Sequence, residues 1–256
     1  MSKTAIIGGK GLSVPDYLNS VKELSVNTPF GIPDPVIYSG IFDGVEVIHL
    51  SRYGKEKAVP PSRINYRANL YALKQLDCRY ILATSTCRSL QEEICPGEII
   101  ILDQFIDMTT QQLSGIYDDL KTLETGSLPM GDPFSEELRD HLVEAAIVMG
   151  ITVHTKGIIL SIEGPRLSSR AESNLFRNWG ADVINRVTTP EVILANELGI
   201  PYAALALCTG YDSWRINDDA SGEQDGEAIL VTNREKMIRM LTYAVRKIEQ
   251  HDQGEL

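Results

Sequence analysis

The sequence is poor in the residues that build metal centres and covalent staples. Its 256 residues include four cysteines and four histidines. Cys78, Cys87, Cys95 and Cys208 form no CxxC pair, and the histidines form no HExxH or paired-ligand pattern, so neither a structural metal nor a disulfide framework is expected. Cys87 adjoins Arg88, which would favour a thiolate, but it reads first as a small buried residue at a strand end. No metal site and no cofactor are expected. Long apolar runs are also missing: no stretch approaches the ~20 residues that a membrane helix needs, and MSKTAIIGGKG holds only a three-residue apolar run before glycine. Basic residues are outnumbered, 24 Lys plus Arg against 35 Asp plus Glu, for a net charge of -11. That balance excludes broad attraction to nucleic acid or an anionic membrane. Any anion site must be a local cluster, in a protein expected to be cytoplasmic. Internal repeats, low-complexity tracts and linkers are absent too, so residues 1–256 are expected to form a single domain.

Short apolar runs alternate with helical patterns, which is the signature of an α/β fold. Thr4 to Ile7, Val45 to Leu50, Tyr80 to Thr84, Ile99 to Leu102, Gly157 to Ile162, Asp182 to Asn185 and Tyr202 to Cys208 read as strands. Ser62 is the expected cap of a helix carrying Ile64, Ala68, Tyr71 and Ala72 on one face. Ser169 and Glu172 have capping-box spacing before a stop at Gly180. Thr189-Pro190-Glu191 starts another helix, stopped at Gly199, and Lys236 to Gln250 is an amphipathic C-terminal helix. Met108 to Gly131 and Asn217 to Gly226 read as long loops of the kind that carry function.

Ligands gather at the carboxyl ends of strands in such folds. The first run delivers Gly8-Gly9-Lys10-Gly11, a tight turn whose backbone N–H groups can approach an anion. It lacks the third glycine of a dinucleotide fingerprint and the ending of a P-loop. Later ends deliver Arg52, the loop Thr84 to Ser89 with Ser85 and Arg88, and Arg186. Taken singly, each cation reads as a rim charge; four at independent strand ends read as an anion site. The last strand ends in Thr209-Gly210-Tyr211-Asp212, where Asp212 reads either as an acid or hydrogen-bond acceptor or as a turn-forming Asx residue.

Several segments, "TPFGIP", "PPSRINYRANLYALK", "SLQEEICPGEIIILDQFID", "SIEGPRLSSRAESNLFRNWGADVIN" and "TPEVILANELGIPYA", carry a resemblance to the methylthioadenosine phosphorylase branch of the purine nucleoside phosphorylase family. The resemblance implies a single-domain phosphorylase-type fold, a mixed, partly barrel-like sheet flanked by helices, assembled as a homotrimer. It implies attack of phosphate on C1' of a purine nucleoside, with positive charge on the sugar and negative charge on the departing base in the transition state. Arg52 matches the arginine of an "RHG" phosphate motif, Ser168 lies beside the base region, and Thr209 and Asp212 match a "TDYD" base-reading loop. Asn65 also matches, as a scaffold or site residue.

The departures cluster at ligand-facing positions. Lys10 replaces a phosphate-binding hydroxyl, Tyr53 a histidine, Ser85 a threonine, Thr86 an alanine, Arg88 a glycine, Arg186 the methionine under the ribose, Val187 a phosphate-contacting threonine, Leu167 a phenylalanine and Gly210 an aspartate. Downstream of Trp214 the chain reads "NDDASGEQDGEAIL", polar where the family is apolar near the 5' substituent. These changes lead to a pentosyltransferase acting between a purine-like base and ribose. Lys10, Arg52, Ser85, Arg88 and Arg186 would hold phosphate or a phosphorylated ribose, Ser168, Thr209 and Asp212 the base, and Asp212 would be the catalytic acid. Phosphoribosyl transfer is the sharper form of this reading. Phosphorolysis of methylthioadenosine or another purine nucleoside is the alternative, and a non-catalytic nucleoside-binding relative the third.

Overall fold

A computed structural model describes residues 3–33, 36–54, 59–111, 115–116, 127–216 and 223–254. The strands are β1 (Lys3–Gly8), β2 (Asn19–Leu24), β3 (Ile37–Phe42), β4 (Val45–Ser51), β5 (Cys78–Ser89), β6 (Ile99–Ile101), β7 (Gln104–Met108), β8 (Val153–His154), β9 (Ile158–Ile162), β10 (Val183–Asn185) and β11 (Tyr202–Tyr211). The helices are α1 (Tyr66–Gln75), α2 (Glu136–Met149), α3 (Arg170–Asn178), α4 (Thr188–Glu197) and α5 (Glu223–Gln253). None of the helices among the described residues is long and apolar enough to cross a membrane.

The strands form one mixed sheet in the order β2-β3-β4-β1-β5-β10-β9-β7, with β11 pairing β5 and β6, and β6 pairing β8. Strand β5 is its pivot. One edge pairs in parallel with β1 as far as Ala83, and the same edge is taken over by antiparallel β10 at Arg88 and Ser89. The other edge stays with β11, in parallel register from Ile81 to Cys87. A strand with three partners forks the sheet and curls it toward a barrel. Between Ala83 and Arg88 neither β1 nor β10 pairs with β5, so backbone polar groups there need other partners.

Two apolar layers fix the sheet. On one face Leu70 and Leu73 of α1 and Val192 and Leu194 of α4 pack against Ile81, Ala83, Ala204 and Ala206. On the other, Leu138 and Leu142 of α2 and Met237, Leu241 and Val245 of α5 pack against Ile6, Leu82, Leu205 and Leu207. The period-2 alternation of β5 and β11 therefore feeds both cores, as a doubly covered sheet requires.

All seven expected strands are present; β2, β3, β7 and β8 were not expected. The expected loop Thr84 to Ser89 is strand, because β11 continues to pair with it. Ser62 does not cap α1. It lies in a 3-10 turn, Pro61–Arg63, and Asn65 is the cap, its Oδ1 accepting from Ala68 N at 3.1 Å. Asn65 also donates from Nδ2 to Phe30 O at 2.8 Å, which makes it a scaffold residue. The Ser169/Glu172 capping box is present. The last helix starts at Glu223 rather than Lys236, so part of the expected loop Asn217 to Gly226 is helical. Residues 217–222 lie outside the described residues, as do 112–114 and 117–126 of the other expected loop.

Candidate active site

The site occupies the fork in the sheet. Strand β1 runs into Gly8-Gly9, and Gly9 N donates to Thr84 Oγ1 at 3.1 Å, in the stretch of β5 left without a strand neighbour on that edge. Gly9 has to be glycine: a Cβ there would lie 2.5 Å from Thr84 O and 2.8 Å from Arg52 Nη1. The turn is held from outside by α5. Arg234 Nε donates to Gly11 O at 2.8 Å, Arg234 pairs with Asp16, and Leu230 packs where a Gly11 side chain would be.

Arg52 follows β4 and is fully buried. A buried guanidinium needs a partner, and Glu191, in the first turn of α4, supplies it: Nε to Oε1 is 2.5 Å and Nη2 to Oε2 is 2.8 Å. Nη1 donates to Thr84 O at 2.7 Å, and Tyr202 Oη donates to Glu191 Oε2 at 2.9 Å. Burial opposes the Arg52 charge, but the Glu191 carboxylate more than offsets it and holds the guanidinium pKa above its ordinary value. Tyr53, next in sequence, is pushed up chiefly by burial, with Arg52, Glu191 and Arg186 all acting on it. Those three groups therefore share one electrostatic neighbourhood.

Strand β10 ends in Asn185, whose Oδ1 accepts from Ser161 Oγ at 3.0 Å and from Val187 N at 3.3 Å. Asn185 Nδ2 donates to Thr188 Oγ1 at 2.6 Å, and Thr189 N donates to Ser161 Oγ at 3.2 Å. Val187 has no hydroxyl with which to cap α4, and these neighbours take over that task.

At the other end of the fork, Asp212 is buried. Its backbone N donates to Ser89 O at 2.9 Å, and its Oδ2 accepts from Ser168 Oγ. Ser213 Oγ donates to Ser168 O at 2.7 Å, and Trp214 Nε1 donates to Ser89 O at 2.9 Å. Asp212 is thus a fixed carboxyl held on one oxygen. Thr209 is half-buried, its Oγ1 donating to Cys87 O at 3.2 Å, and α5 reaches it at Gly226, where a Cβ would stand 3.5 Å from Thr209 Cβ.

Three buried polar atoms of this region have no hydrogen-bond partner among the described residues: Ser85 Oγ, Thr189 Oγ1 and Asp212 Oδ1. Unpaired buried oxygens are uncommon and costly, and these three flank the two ends of the fork.

The predicted cations are spread over this site rather than massed in it. Arg52 is neutralised by Glu191. Lys10 is exposed on the glycine turn. Arg186 is half-buried, Nη1 donating to Pro165 O at 2.7 Å. Arg88 is half-buried, Nη1 donating to Tyr211 O at 2.8 Å, which associates it with the Asp212 end. Glu191, Thr189, Ser161 and Asn185 were not predicted as site residues. Glu191 did leave a signal: a lone carboxylate in the apolar run TTPEVILAN must find a cation or stay out of the core.

The chain belongs to the phosphorylase superfamily, whose family profile matches residues 3–246. Within it the chain falls in the methylthioadenosine phosphorylase branch. It is 44% identical over 257 residues to S-methyl-5'-thioadenosine phosphorylase of Xenopus tropicalis, covering 99% of this chain and 92% of the relative. It is 42% identical over 252 residues to the enzyme of Danio rerio, covering 98% and 90%. Among solved structures, methylthioadenosine phosphorylase from Schistosoma mansoni in complex with adenine superposes with a TM-score of 0.91 at 34% identity, covering 97% of this chain and 92% of that one. The same enzyme in complex with tubercidin gives 0.88 at 35%, with the same coverage. The expectation of phosphoribosyl transfer finds no support among these relatives, and the phosphorolysis set beside it fits them better. The structure supplies a physical reason for the shift: the most deeply buried of the four cations is already matched by a carboxylate, so the excess charge that motivated a pyrophosphorylated ligand is smaller than the sequence suggested.

Proposed function

We propose that this chain cleaves the N-glycosidic bond of a purine nucleoside by phosphorolysis, with methylthioadenosine as the first substrate to test. The observation that carries the reading is the placement of the three unpartnered buried oxygens, Ser85 Oγ, Thr189 Oγ1 and Asp212 Oδ1, around one strand fork. The first two suit an oxyanion that brings or shares protons. The third suits the nitrogen edge of a base.

In this reading a phosphate oxygen forms a bond to C1' while the bond from C1' to the purine nitrogen breaks, and the electron pair leaves with the base. Ser85 and Lys10 contact the phosphate, and Arg52 anchors the Thr84 backbone beside it. Arg186 borders the sugar. Ser168 orients Asp212, which passes a proton to the departing base near N7, while Thr209 lines the base side and Arg88 holds the Tyr211 backbone beside Asp212. A homotrimer is the assembly that accompanies this reading, and sedimentation analysis tests it.

The decisive experiment incubates the protein with methylthioadenosine, adenosine or inosine, each with and without inorganic phosphate, and follows release of base. Phosphate-dependent release from any one supports the proposal. Binding of a purine base with no release from all three would sink it in favour of a non-catalytic relative.

A further inference from the structure

Two thiols face each other across the strand pair that leads into the site. Strands β5 and β11 run parallel and in register, and Cys87 stands opposite Cys208. Neighbouring strands lie about 4.8 Å apart, and opposed residues project to the same face. That separation falls within the Cα range of about 4.4 to 6.8 Å over which a disulfide closes. Both residues are buried, 3% and 0% exposed. Cys208 Sγ donates to Gly210 O at 3.4 Å.

The pair is chemically unequal. The neighbouring Cys87 thiol favours the Cys208 thiolate and prevails over burial, so the Cys208 pKa is lowered. Burial pushes the Cys87 thiol up, and the proximity of Cys208 adds to the effect. The other two cysteines are set apart. Cys78 lies at the far end of β5, its pKa raised to about 12 by burial, and Cys95 is exposed and accepts from Tyr211 Oη at 3.5 Å.

We infer that Cys87 and Cys208 form a reversible dithiol/disulfide couple, oxidised by a hydroperoxide, with Cys208 attacking and Cys87 resolving. The Cys208 thiolate attacks one peroxide oxygen, the O–O bond breaks, and the hydroxide that leaves takes up a proton to become water. Cys87 sulfur then attacks the Cys208 sulfenic acid. The S–S bond forms, the S–O bond breaks, and the departing hydroxide takes the Cys87 proton as a second water. Two thiols and one hydrogen peroxide thus give one disulfide and two waters, and a dithiol reductant reverses the change. The crosslink ties β5 to β11 one residue before Arg88 and Thr209. The inference is independent of the reaction proposed above.

The test treats the full chain carrying Cys95→Ser, which removes the exposed thiol, with hydrogen peroxide. It then denatures, alkylates and maps the peptides. The expected result is a peptide joining Cys87 to Cys208, an intact mass lower by two hydrogens, Cys78 still alkylatable, and full reversal by dithiothreitol. Adding Cys87→Ser should stop the reaction at a Cys208 sulfenic acid that a 1,3-dione captures. If this second variant does not fold, the linked peptide alone decides. Cys87 and Cys208 both remaining alkylatable after peroxide has oxidised Cys95 in the unsubstituted chain would overturn the inference, as would a crosslink from either of them to Cys95.

Discussion

Arg52 and Glu191 face each other as a fork on a fork, fully buried, with Nε–Oε1 at 2.5 Å and Nη2–Oε2 at 2.8 Å. Residues 139 positions apart in sequence thereby join the end of β4 to the start of α4. Removing one partner leaves an uncompensated buried charge, which costs roughly 3 to 5 kcal/mol. Glu191→Gln is therefore expected to lower the urea midpoint markedly, and Arg52→Met with Glu191→Leu to recover much of the loss. In the double variant phosphate-dependent base release stays absent, which separates the folding role of the pair from its role in the site.

Asp212 is held by Ser168 on one oxygen only. Asp212→Asn keeps the shape and removes the proton donor, so turnover should fall by about 100- to 10,000-fold with thermal stability little changed. Ser168→Ala should cost less, because it loosens the carboxyl without removing it. Steady-state rates of base release for the two variants check the ranking.

His49 ties β4 to the glycine turn. Tyr17 Oη contacts its Nδ1 at 2.7 Å, its Nε2 lies 3.3 Å from Ser51 Oγ, and Ser51 Oγ donates to Ser13 O. Since Ser51 spends its proton on Ser13, Nε2 must carry the hydrogen and Nδ1 must accept from Tyr17. Burial lowers the His49 pKa to about 4. A histidine with a depressed native pKa favours folding above its unfolded value of about 6.5 and loses that contribution as pH falls toward 4. The loss is about 3 kcal/mol on that span. Urea midpoints at pH 7, 5.5 and 4 should fall more steeply for the native chain than for His49→Gln.

Gly9 sits against Thr84 O and Arg52 Nη1. Gly9→Ala forces a Cβ into backbone and should destabilise the fold by about 1 to 3 kcal/mol. Gly131→Ala, where nothing lies within 4 Å, should leave stability within about 0.5 kcal/mol. Thermal denaturation of the two variants compares them directly.

Lys10 is exposed on the same turn, so Lys10→Ala should leave folding intact. Its expected effect is a several-fold rise in KM for phosphate with a smaller change in kcat, and a weaker dependence of that KM on ionic strength.

The strand-helix alternation was legible wherever a buried run is bounded by glycine, proline or a capping box, as at Thr4 to Ile7 and Ser169 to Gly180. It failed where tertiary pairing overrides local composition. Residues 84–89 are polar and small and read as loop, yet β11 pairs with them as strand. Asn19–Leu24 pairs with β3 although five of its six residues are exposed, so it offers no apolar alternation to read. In the candidate site, the cations and Asp212 stood out in the sequence because they follow strand-like apolar runs. Glu191 was missed because its partner lies far away in sequence, and no spacing rule joins the two. The same blindness inflated the positive charge assigned to the pocket.

The forked strand has a geometric consequence of its own. Ser85 and Ser89 lie on one unbroken run of β5, four steps of about 3.3 Å each, so the two ends of the fork stand roughly 13 Å apart along one rod. That rod acts as a ruler. In the proposed reaction it spaces the phosphate side from the base side, and inserting or deleting one residue between Thr84 and Arg88 would both change that spacing and turn the following side chains to the opposite face.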